Sequence, residues 1–371
     1  MTTTQIYELV NQITAEAIGT NEIATVDAQG LVSLGNTVLS STANTEAFLN
    51  TMIQRIARTI ISYRGYTNKL RDMVLSDFDF GAIVQKLKTD MPMAEESSEY
   101  ELVDGQSIDQ YKVAKPKTHQ KLFVTRSPYN FHVTTPLNLL KEAFLSEQAM
   151  GSYLSSVYGE VRNKIELSLE NLGRTCLNNF AAEVAGGARE IKLLTLYNTE
   201  TALEVPLTAE TAMYDPAFLR FAVAAINQYS NYFTDMSDLY NDGTTTRHTP
   251  KEMQRLKVLS DFERKLETVV QYDAFHKELV SLNAYVEMNF WQSSKSRSKI
   301  MVTRSSDGTE TTVENVVAML YDRDALGTYK QEEETLTTPV NAAGKYYNTF
   351  WHAKQLWFND LSENYLLFTL N

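Results

Sequence analysis

Apolar residues recur every three or four positions from Pro136 to Val184, a spacing that keeps them on one face of a 3.6-residue helix. The members of this face are Met150, Leu154, Val157, Val161, Ile165, Leu169, Leu172 and Cys176. Gly186-Gly187 follows, as a left-handed C-terminal cap would. The pattern therefore predicts a long amphipathic helix in one or two segments, about 55 Å long from Glu147 to Val184.

Two shorter helical patterns come before it. The first carries Ile6, Leu9, Val10, Ile13 and Ala17 and ends at Gly19, and the second starts near Thr45 and carries Phe48, Met52, Ile56 and Ile60. Ordinary core packing explains both faces better than binding of a partner. Residues 20–44 are small and polar without a clear period, which predicts an extended arm.

Charges of opposite sign separate into two halves between Phe78 and Val133. The acidic half carries Asp90, Glu95, Glu96, Glu99, Glu101, Asp104 and Asp109, and the basic half carries Lys112, Lys115, Lys117, Lys121 and Arg126. Asp104-Gly105 between them is a hairpin-turn signal. We therefore predict a long β-hairpin with one acidic and one basic arm.

Two interpretations of this hairpin remain open. Its arms either pair their own charges on a solvated surface, or they protrude and lie on a neighbouring subunit. A hairpin of this length has no core of its own, which favours the second interpretation. Opposite charges would then fix register and partner more than they add affinity.

The second half of the chain predicts a mixture of short strands and helices. Strands are expected at Ile191–Leu196, Ala202–Leu207, Tyr285–Trp291, Lys299–Thr303, Asn315–Tyr321, Tyr346–Phe358 and Tyr365–Leu370. Helix starts are expected at Asp215-Pro216, at the capping-box spacings of Thr249–Glu252 and Ser260–Glu263, and at Asp273. Turns are expected at Asp307-Gly308, at Glu332–Glu334, which we interpret as a solvated acidic turn, and at Asn359–Ser362. The fold class is α+β.

Composition narrows the class of protein. The 371 residues are 43% hydrophobic with 20 Tyr and 16 Phe, enough for a sizeable core, and the single cysteine excludes an internal disulfide. No apolar run reaches the length of a membrane span, and the first residues lack the pattern of a signal peptide. A net charge of −12 disfavours a dedicated nucleic-acid binder.

Motifs of common enzymes and metal sites are absent from the sequence. It has no GxxxxGK[ST], GxGxxG, GxSxG or HExxH, and its five histidines are scattered. We interpret Cys176 as a small buried hydrophobe. We therefore expect no catalytic residue, no metal and no cofactor, although a carboxylate pair assembled by folding has no fixed spacing to look for. Isopeptide bonds from Lys112, Lys115, Lys117 or Lys121 to an asparagine are a minor alternative.

The order of these elements resembles a tailed-bacteriophage major capsid protein of the Hong Kong 97 type. The likeness rests most on Val313–Leu370, which is similar to the capsid C-terminus, with Asp324-Ala325-Leu326-Gly327 as its strand and short helix. Leu259–Glu263 with Asp273-Ala274-Phe275, and Ile53–Leu70 with the hairpin, resemble the capsid proteins of small podophages of Gram-positive hosts.

That resemblance implies an architecture. Residues 1–77 would be an N-terminal helix, arm and second helix, 78–133 the extended hairpin (E-loop), 134–205 a peripheral domain with a spine helix, 206–340 an axial domain, and 341–371 strands that return to the peripheral domain. The spine helix would pack under Tyr346–Leu370, with Leu154, Val161 and Ile165 buried against aromatic residues such as Phe350, Trp357 or Phe368.

It also implies a function. The chain would assemble into the hexamers and pentamers of a phage head around double-stranded DNA, which it would contact non-specifically. A scaffolding protein, expected to be a separate chain, and a portal would be its partners, and the location would be the virion, assembled in the host cytoplasm. The alternatives are a shell protein of a cellular nanocompartment with enzyme cargo, and, less favoured, an α+β enzyme.

Charge reversal in the acidic arm tests whether the hairpin contacts a neighbouring subunit. We expect reversal of Glu95, Glu96, Glu99 and Glu101 to lysine to impair assembly more than folding of the subunit. Single surface ion pairs contribute about 1 kcal/mol or less, so the effect should come from the set. Particle yield by electron microscopy and melting of the subunit measure the two effects, and a normal yield would contradict the neighbour-contact interpretation.

Overall fold

The computed structural model describes residues 3–19, 28–58, 66–75, 84–89, 103–105, 107, 111, 113, 115–124, 126–154, 159–267, 285–304 and 306–371. The helices are α1 (Thr3–Ile18), α2 (Ala28–Val38), α3 (Thr42–Arg58), α4 (Leu137–Ala143), α5 (Glu147–Leu154), α6 (Glu160–Val184), α7 (Leu193–Thr201), α8 (Ala209–Ala212), α9 (Pro216–Tyr232) and α10 (Ser260–Lys265). The strands are β1 (Val74–Leu75), β2 (Val84–Thr89), β3 (Thr118–Phe123), β4 (Arg126–Pro136), β5 (Glu190–Lys192), β6 (Gln254–Leu259), β7 (Tyr285–Met288), β8 (Ile300–Thr303), β9 (Glu310–Val313), β10 (Val316–Asp322), β11 (Leu326–Thr337), β12 (Tyr346–Asn359) and β13 (Tyr365–Thr369).

A five-stranded sheet in the order β5-β13-β10-β6-β7 forms the main core. Every residue of β10 and β13 is buried, because helices cover both faces. On one face the Phe180 ring of α6 stacks on Tyr365 with centroids 4.2 Å apart, and on the other Tyr229 of α9 meets Phe368 at 5.9 Å. The strands predicted at Asn315–Tyr321 and Tyr365–Leu370 are thus confirmed as the centre of this sheet.

A second, four-stranded sheet has the order β1-β11-β12-β4. β12 confirms the aromatic strand predicted at Tyr346–Phe358, and it pairs antiparallel with both neighbours. The acidic run Glu332–Glu334 lies within β11 and is not a turn, so that prediction is wrong. The backbone of β12 supplies hydrogen-bonding partners along the whole run, and this tertiary pairing outweighs the low strand propensity of glutamate.

The predicted long helix is interrupted after Ala143, and residues 155–158, between α5 and α6, lie outside the described residues. α4 ends at Ala143, the chain turns through Phe144 and Leu145, and α5 begins where the Ser146 hydroxyl accepts a hydrogen bond from the Ala149 amide at 3.1 Å. The turn puts the Phe144 ring into a core, 5.4 Å from the ring of Phe48. The third helix, α6, has 25 residues and is therefore about 38 Å long.

Burial along this stretch follows the predicted face only in part. Leu154 and Val161 are buried, whereas Ile165 is half-buried. Leu154 packs among the N-terminal helices and not beneath the terminal strands, because it belongs to α5. The C-terminal part of α6, from Cys176 onwards, packs in the core with the terminal strand β13, and Gly186 follows with a φ of +75° as predicted.

The N-terminal segment is more helical than predicted. α1 ends before Gly19, whose φ is +72°, as the sequence indicates. The stretch predicted as an extended arm contains α2, because Leu31, Leu34 and Val38 bury one helical face. α3 starts at Thr42, and residues 20–27 lie outside the described part. The apolar faces of α1 to α5 share a second core, which β12 joins through Tyr347.

Local signals between residues 190 and 265 give a mixed result. Asp215 caps α9 as predicted, with its carboxylate accepting from the Phe218 amide at 2.7 Å. The strand predicted at Ile191–Leu196 is wrong beyond Lys192, because α7 starts at Leu193, and 202–207 belongs to no strand.

Neither predicted capping box forms, although the helix start expected at Ser260 is confirmed by α10. The Thr249 hydroxyl donates to the Asp322 carboxylate at 2.7 Å instead of capping a helix, and only a 3-10 turn follows at Lys251–Met253. Leu259, not Ser260, is the N-cap of α10. The helix predicted at Asp273 lies outside the described residues.

Within the described ranges, no helix combines the length and the apolar character that a bilayer crossing needs.

Gly35 tests the N-terminal core. A Cβ at this position would lie 2.7 Å from the Cβ of Phe144, so Gly35→Ala should displace the α4–α5 turn. Alanine gains about 1 kcal/mol of helix propensity, but overpacking costs about 1–3 kcal/mol, and we expect a net loss of up to about 2 kcal/mol in the free energy of unfolding. Asn36→Ala, at an exposed position of the same helix, is the control and should change it by less than about 0.5 kcal/mol in urea titrations.

Candidate subunit-contact hairpin

β2 and β3 form the base of the predicted hairpin. They pair antiparallel from Val84↔Phe123 to Thr89↔Thr118, a register that puts the midpoint of the two arms between residues 103 and 104. Asp104-Gly105 is a turn there, and Gly105 has a φ of +83°, so the turn signal is confirmed.

The sequence-predicted contact residues fall in different places. Glu95, Glu96, Glu99, Glu101 and Lys112 lie outside the described residues, whereas Asp104, Lys115 and Lys117 are exposed. Lys121 lies at the hairpin base, and Arg126 is the first residue of β4. Among the described members of this set, the Lys121 side chain reaches Asp360, and the backbone of Arg126 pairs with Leu356 of β12.

The two faces of the hairpin base differ in chemistry. The inward face carries Lys86, Lys88, Lys121 and Phe123, and the Phe123 ring packs on Phe358 of β12 with centroids 5.1 Å apart. The outward face carries Gln85, Leu87, Thr89, Thr118, Gln120 and Leu122 and no charged residue. Leu87 is 65% exposed and Leu122 is 53% exposed.

The three inward lysines, called here the lysine cluster, meet the turn between β12 and β13 (359–364), called here the carboxylate turn. Lys86 Nζ lies 3.0 Å from Asp360 Oδ2 and 3.1 Å from Glu363 Oε1. Lys121 Nζ lies 2.9 Å from Asp360 Oδ1. Lys88 donates to the hydroxyl of Ser362 and lies 3.4 Å from Glu363 Oε1. Both arms of the hairpin are therefore held by one turn of the same chain.

Electrostatics keeps these contacts ionic. Burial alone would raise the pKa of Asp360, but the charge of Lys86 and the hydrogen bonds from Ser362 and Lys121 hold this pKa well below its usual range. Burial lowers the pKa of Lys88, against the opposing effect of Glu363 and Asp360. The contact of Lys121 with Asp360, at 2.9 Å, is thus an ion pair.

Residues 66–75, called here the anchor segment, precede the hairpin and are held against α6 and both sheets. The Tyr66 hydroxyl donates to the Glu170 carboxylate of α6, and the Lys69 amide donates to the same group at 3.2 Å. Asp72 pairs with Lys257 of β6, whose side chain is fully buried. Leu75 and its neighbour Val74 add a parallel strand to β11. The anchor segment thus joins α6 to both sheets.

Glu170 is the hub of the contact with α6. Its Oε1 accepts from Arg174 at 2.6 Å, and the Arg174 guanidinium lies 4.1 Å from the centroid of the Phe290 ring. Burial by itself would raise the pKa of Glu170, but the hydrogen bonds from Tyr66 and Arg174 hold it below its usual value. Burial and the Glu170 contact raise the pKa of Tyr66 to about 12. The carboxylate is therefore ionised and its partners are fixed.

Other candidate groups have structural surroundings. Cys176 is buried, and burial raises the pKa of its thiol to about 12, as expected of a small buried hydrophobe. His132 stacks on Phe350 at 4.6 Å. Among the described residues, no three His, Cys, Asp or Glu side chains are grouped as a metal site would require.

Sequence reasoning missed the hairpin's partners on its own subunit. Lys86 and Lys88 are two positions apart in a strand, which places both on one face. This spacing was the local signal that the two lysines share a face. Nothing local links them to Asp360 and Glu363, which lie more than 270 positions later in the chain.

Comparison with known proteins decides the family. The family model described as Phi29-like phage major capsid protein matches residues 10–369. The chain belongs to that family. It is therefore a structural phage capsid protein located in the virion, and a nanocompartment shell is not favoured.

Solved structures agree at the level of the fold. The chain is similar to one from the capsid of Staphylococcus phage Andhra, with 11% identity and a TM-score of 0.56 over 84% of this chain and 87% of that one. It is also similar to a chain in the structure of head fiber and inner core protein gp22 of native bacteriophage P68, with 11% identity, a TM-score of 0.54 and the same coverage. No curated protein matches the chain. The mixed helix and sheet fold of this chain therefore matches the fold of solved phage capsid proteins.

The buried pair in the anchor segment makes a testable prediction. Asp72→Ala leaves Lys257 buried without its carboxylate, and we expect a loss of about 3 kcal/mol in the free energy of unfolding. Adding Lys257→Met should recover most of it, because methionine fills the site without a charge. Glu267→Ala, in the exposed pair with Arg264, is the control and should cost less than about 1 kcal/mol. A double variant as unstable as Asp72→Ala would show that the charge of Lys257 is not the cause.

Proposed function

We propose that this chain is a major capsid protein of the Hong Kong 97 type that tiles hexamers and pentamers of a phage head around double-stranded DNA. The observation that carries the proposal is the two-faced hairpin. Its charged inward face is occupied by its own subunit, whereas its outward face presents uncharged and apolar side chains to the surroundings.

The domain assignment follows from this proposal. Residues 78–133 act as the E-loop, 134–205 as the peripheral domain with α6 as its spine, 206–340 as the axial domain and 1–77 as the N-terminal region. The closing residues 341–371 return to the peripheral domain through β12. They also enter the sheet of the axial segment, since β13 pairs with β10.

The hairpin lies on a neighbouring subunit in this proposal. Leu87 and Leu122 are exposed, and their removal from water by a partner would favour association. The opposite charges of the arms, from Glu95 to Glu101 and from Lys112 to Lys117, set the register of that contact.

Further partners follow from the same role. A scaffolding protein and a portal guide assembly, and the packaged DNA is contacted non-specifically. The net charge of −12 limits adhesion to the phosphate backbone. In this proposal, the phage is a small podophage of a Gram-positive host.

Electron microscopy of expressed protein tests the proposal. We expect closed particles, hexamers or pentamers from the natural sequence, alone or with a scaffold. The variant Leu87→Asp/Leu122→Asp should lower particle yield at least tenfold with subunit melting unchanged, because charge on the outward face opposes burial. Val205→Asp, at a similarly exposed apolar residue outside the hairpin, is the control. A stable monomer of the natural sequence under all assembly conditions would contradict the proposed function, and normal assembly of the double variant would contradict the hairpin contact.

A further inference from the structure

The hairpin base contains a like-charge pair. The register puts Lys86 directly opposite Lys121 on the inward face. Side chains in directly opposed positions have Cβ atoms about 5 Å apart, and like charges there destabilise the pairing of the strands. Two lysines at these positions therefore need an anion between them.

Asp360 supplies that anion. One carboxylate oxygen lies 3.0 Å from Lys86 Nζ, and the other lies 2.9 Å from Lys121 Nζ. The group itself is held in place, because Oδ1 accepts from the Ser362 hydroxyl at 2.6 Å and the Asp360 amide donates to the Ala325 carbonyl at 2.6 Å. The bridge belongs to the carboxylate turn and not to the hairpin.

We infer that Asp360 is the bridging ion of a latch that couples pairing of β2 with β3 to docking of the hairpin on its own subunit. In the docked state the carboxylate neutralises both lysines. In a released state the two ammonium groups face each other without it, so the strands lose part of their pairing when the hairpin leaves the turn. Docking and pairing therefore rise and fall together.

A second layer of the latch strengthens the coupling. Lys88 is buried in the docked state and meets both Ser362 and Glu363. Arg247 Nη2 lies 3.4 Å from the same Glu363 oxygen, so the loop before β6 joins the network. The pair of Lys121 with Asp242, at 4.0 Å on a side chain that is 41% exposed, is a weak rim contact by comparison.

The latch gives the hairpin two defined states. A shell that places one sequence in hexamers and pentamers needs hairpins at more than one angle, and a latch lets the base hold one angle until a neighbour competes for it. This consequence rests on the proposed function, whereas the coupling itself is a property of the single subunit.

Hydrogen exchange on unassembled subunits tests the coupling. We expect Asp360→Asn to speed amide exchange in 84–89 and 118–123 at least tenfold, with β10 unchanged. In the Lys86→Met/Lys121→Met background, which has no repulsion to neutralise, the same substitution should change exchange by less than twofold. Equal acceleration in both backgrounds would overturn the proposal, since Asp360 would then act only through its own turn. Asp242→Asn is the rim control, and an effect as large as that of Asp360→Asn would also count against the latch.

Lys121→Glu provides a test that leaves the carboxylate turn intact. The introduced carboxylate would pair with Lys86 across the strands but repel Asp360, so pairing should persist while docking weakens. We expect amide exchange of β2 and β3 within twofold of the natural sequence, and at least fivefold faster chemical labelling of Lys88. Protection of Lys88 equal to that of the natural sequence would overturn the proposal. Both readouts use single subunits, so they are independent of whether particles form.

Discussion

Burial of α6 against the five-stranded sheet is the constraint on which the rest of the subunit depends. From Cys176 to Val184 the helix is almost entirely buried, and the Phe180 ring stacks on Tyr365 at the centre of the sheet. The same helix holds other elements through its backbone. Asn359 of β12 donates to the Cys176 carbonyl at 3.1 Å, and Arg304 donates to the Ala182 carbonyl at 2.8 Å. One helix thereby sets the relative position of both sheets.

Charged groups then locate the hairpin on this framework. Apolar packing fixes α6 and the sheets but does not specify where a two-stranded hairpin leaves them, because such packing has little directionality. The anchor segment, which precedes the hairpin, and the carboxylate turn, which meets both arms of its base, supply that direction. Both contain buried or half-buried carboxylates that pair with cationic side chains. Removing one partner of such a pair strongly lowers the free energy of unfolding, because the other charge is left buried and unpaired. We infer that these ion pairs determine where the hairpin lies on the subunit more than they raise the free energy of unfolding.

The sequence predicts elements with strong local patterns and misses those decided by distant partners. Aromatic strands such as β12, the Asp215 cap and the hairpin turn at Gly105 follow from local chemistry. The break at Phe144 does not, because it depends on packing of the Phe144 ring against α2 and α3. The strand at Glu332–Glu334 likewise depends on β12, which lies beside it. For the candidate site, the separated charges and the Asp104-Gly105 turn indicated a hairpin. The partners of its lysines on the same subunit are seen only in the folded structure, because they are distant in sequence.

In the proposed function, the hairpin has to satisfy two requirements that oppose each other. Its base must leave the subunit in a defined direction, and its outer part must accept neighbours at different angles. Placing all the charge of the base on the inward face meets the first requirement, because ion pairs are directional and Asp360 serves both arms. Leaving the outward face uncharged meets the second, because contacts of Leu87 and Leu122 are not directional and tolerate rotation. In the proposed function, the separation of charged and apolar residues between the two faces would therefore allow one sequence to fit more than one place in a shell.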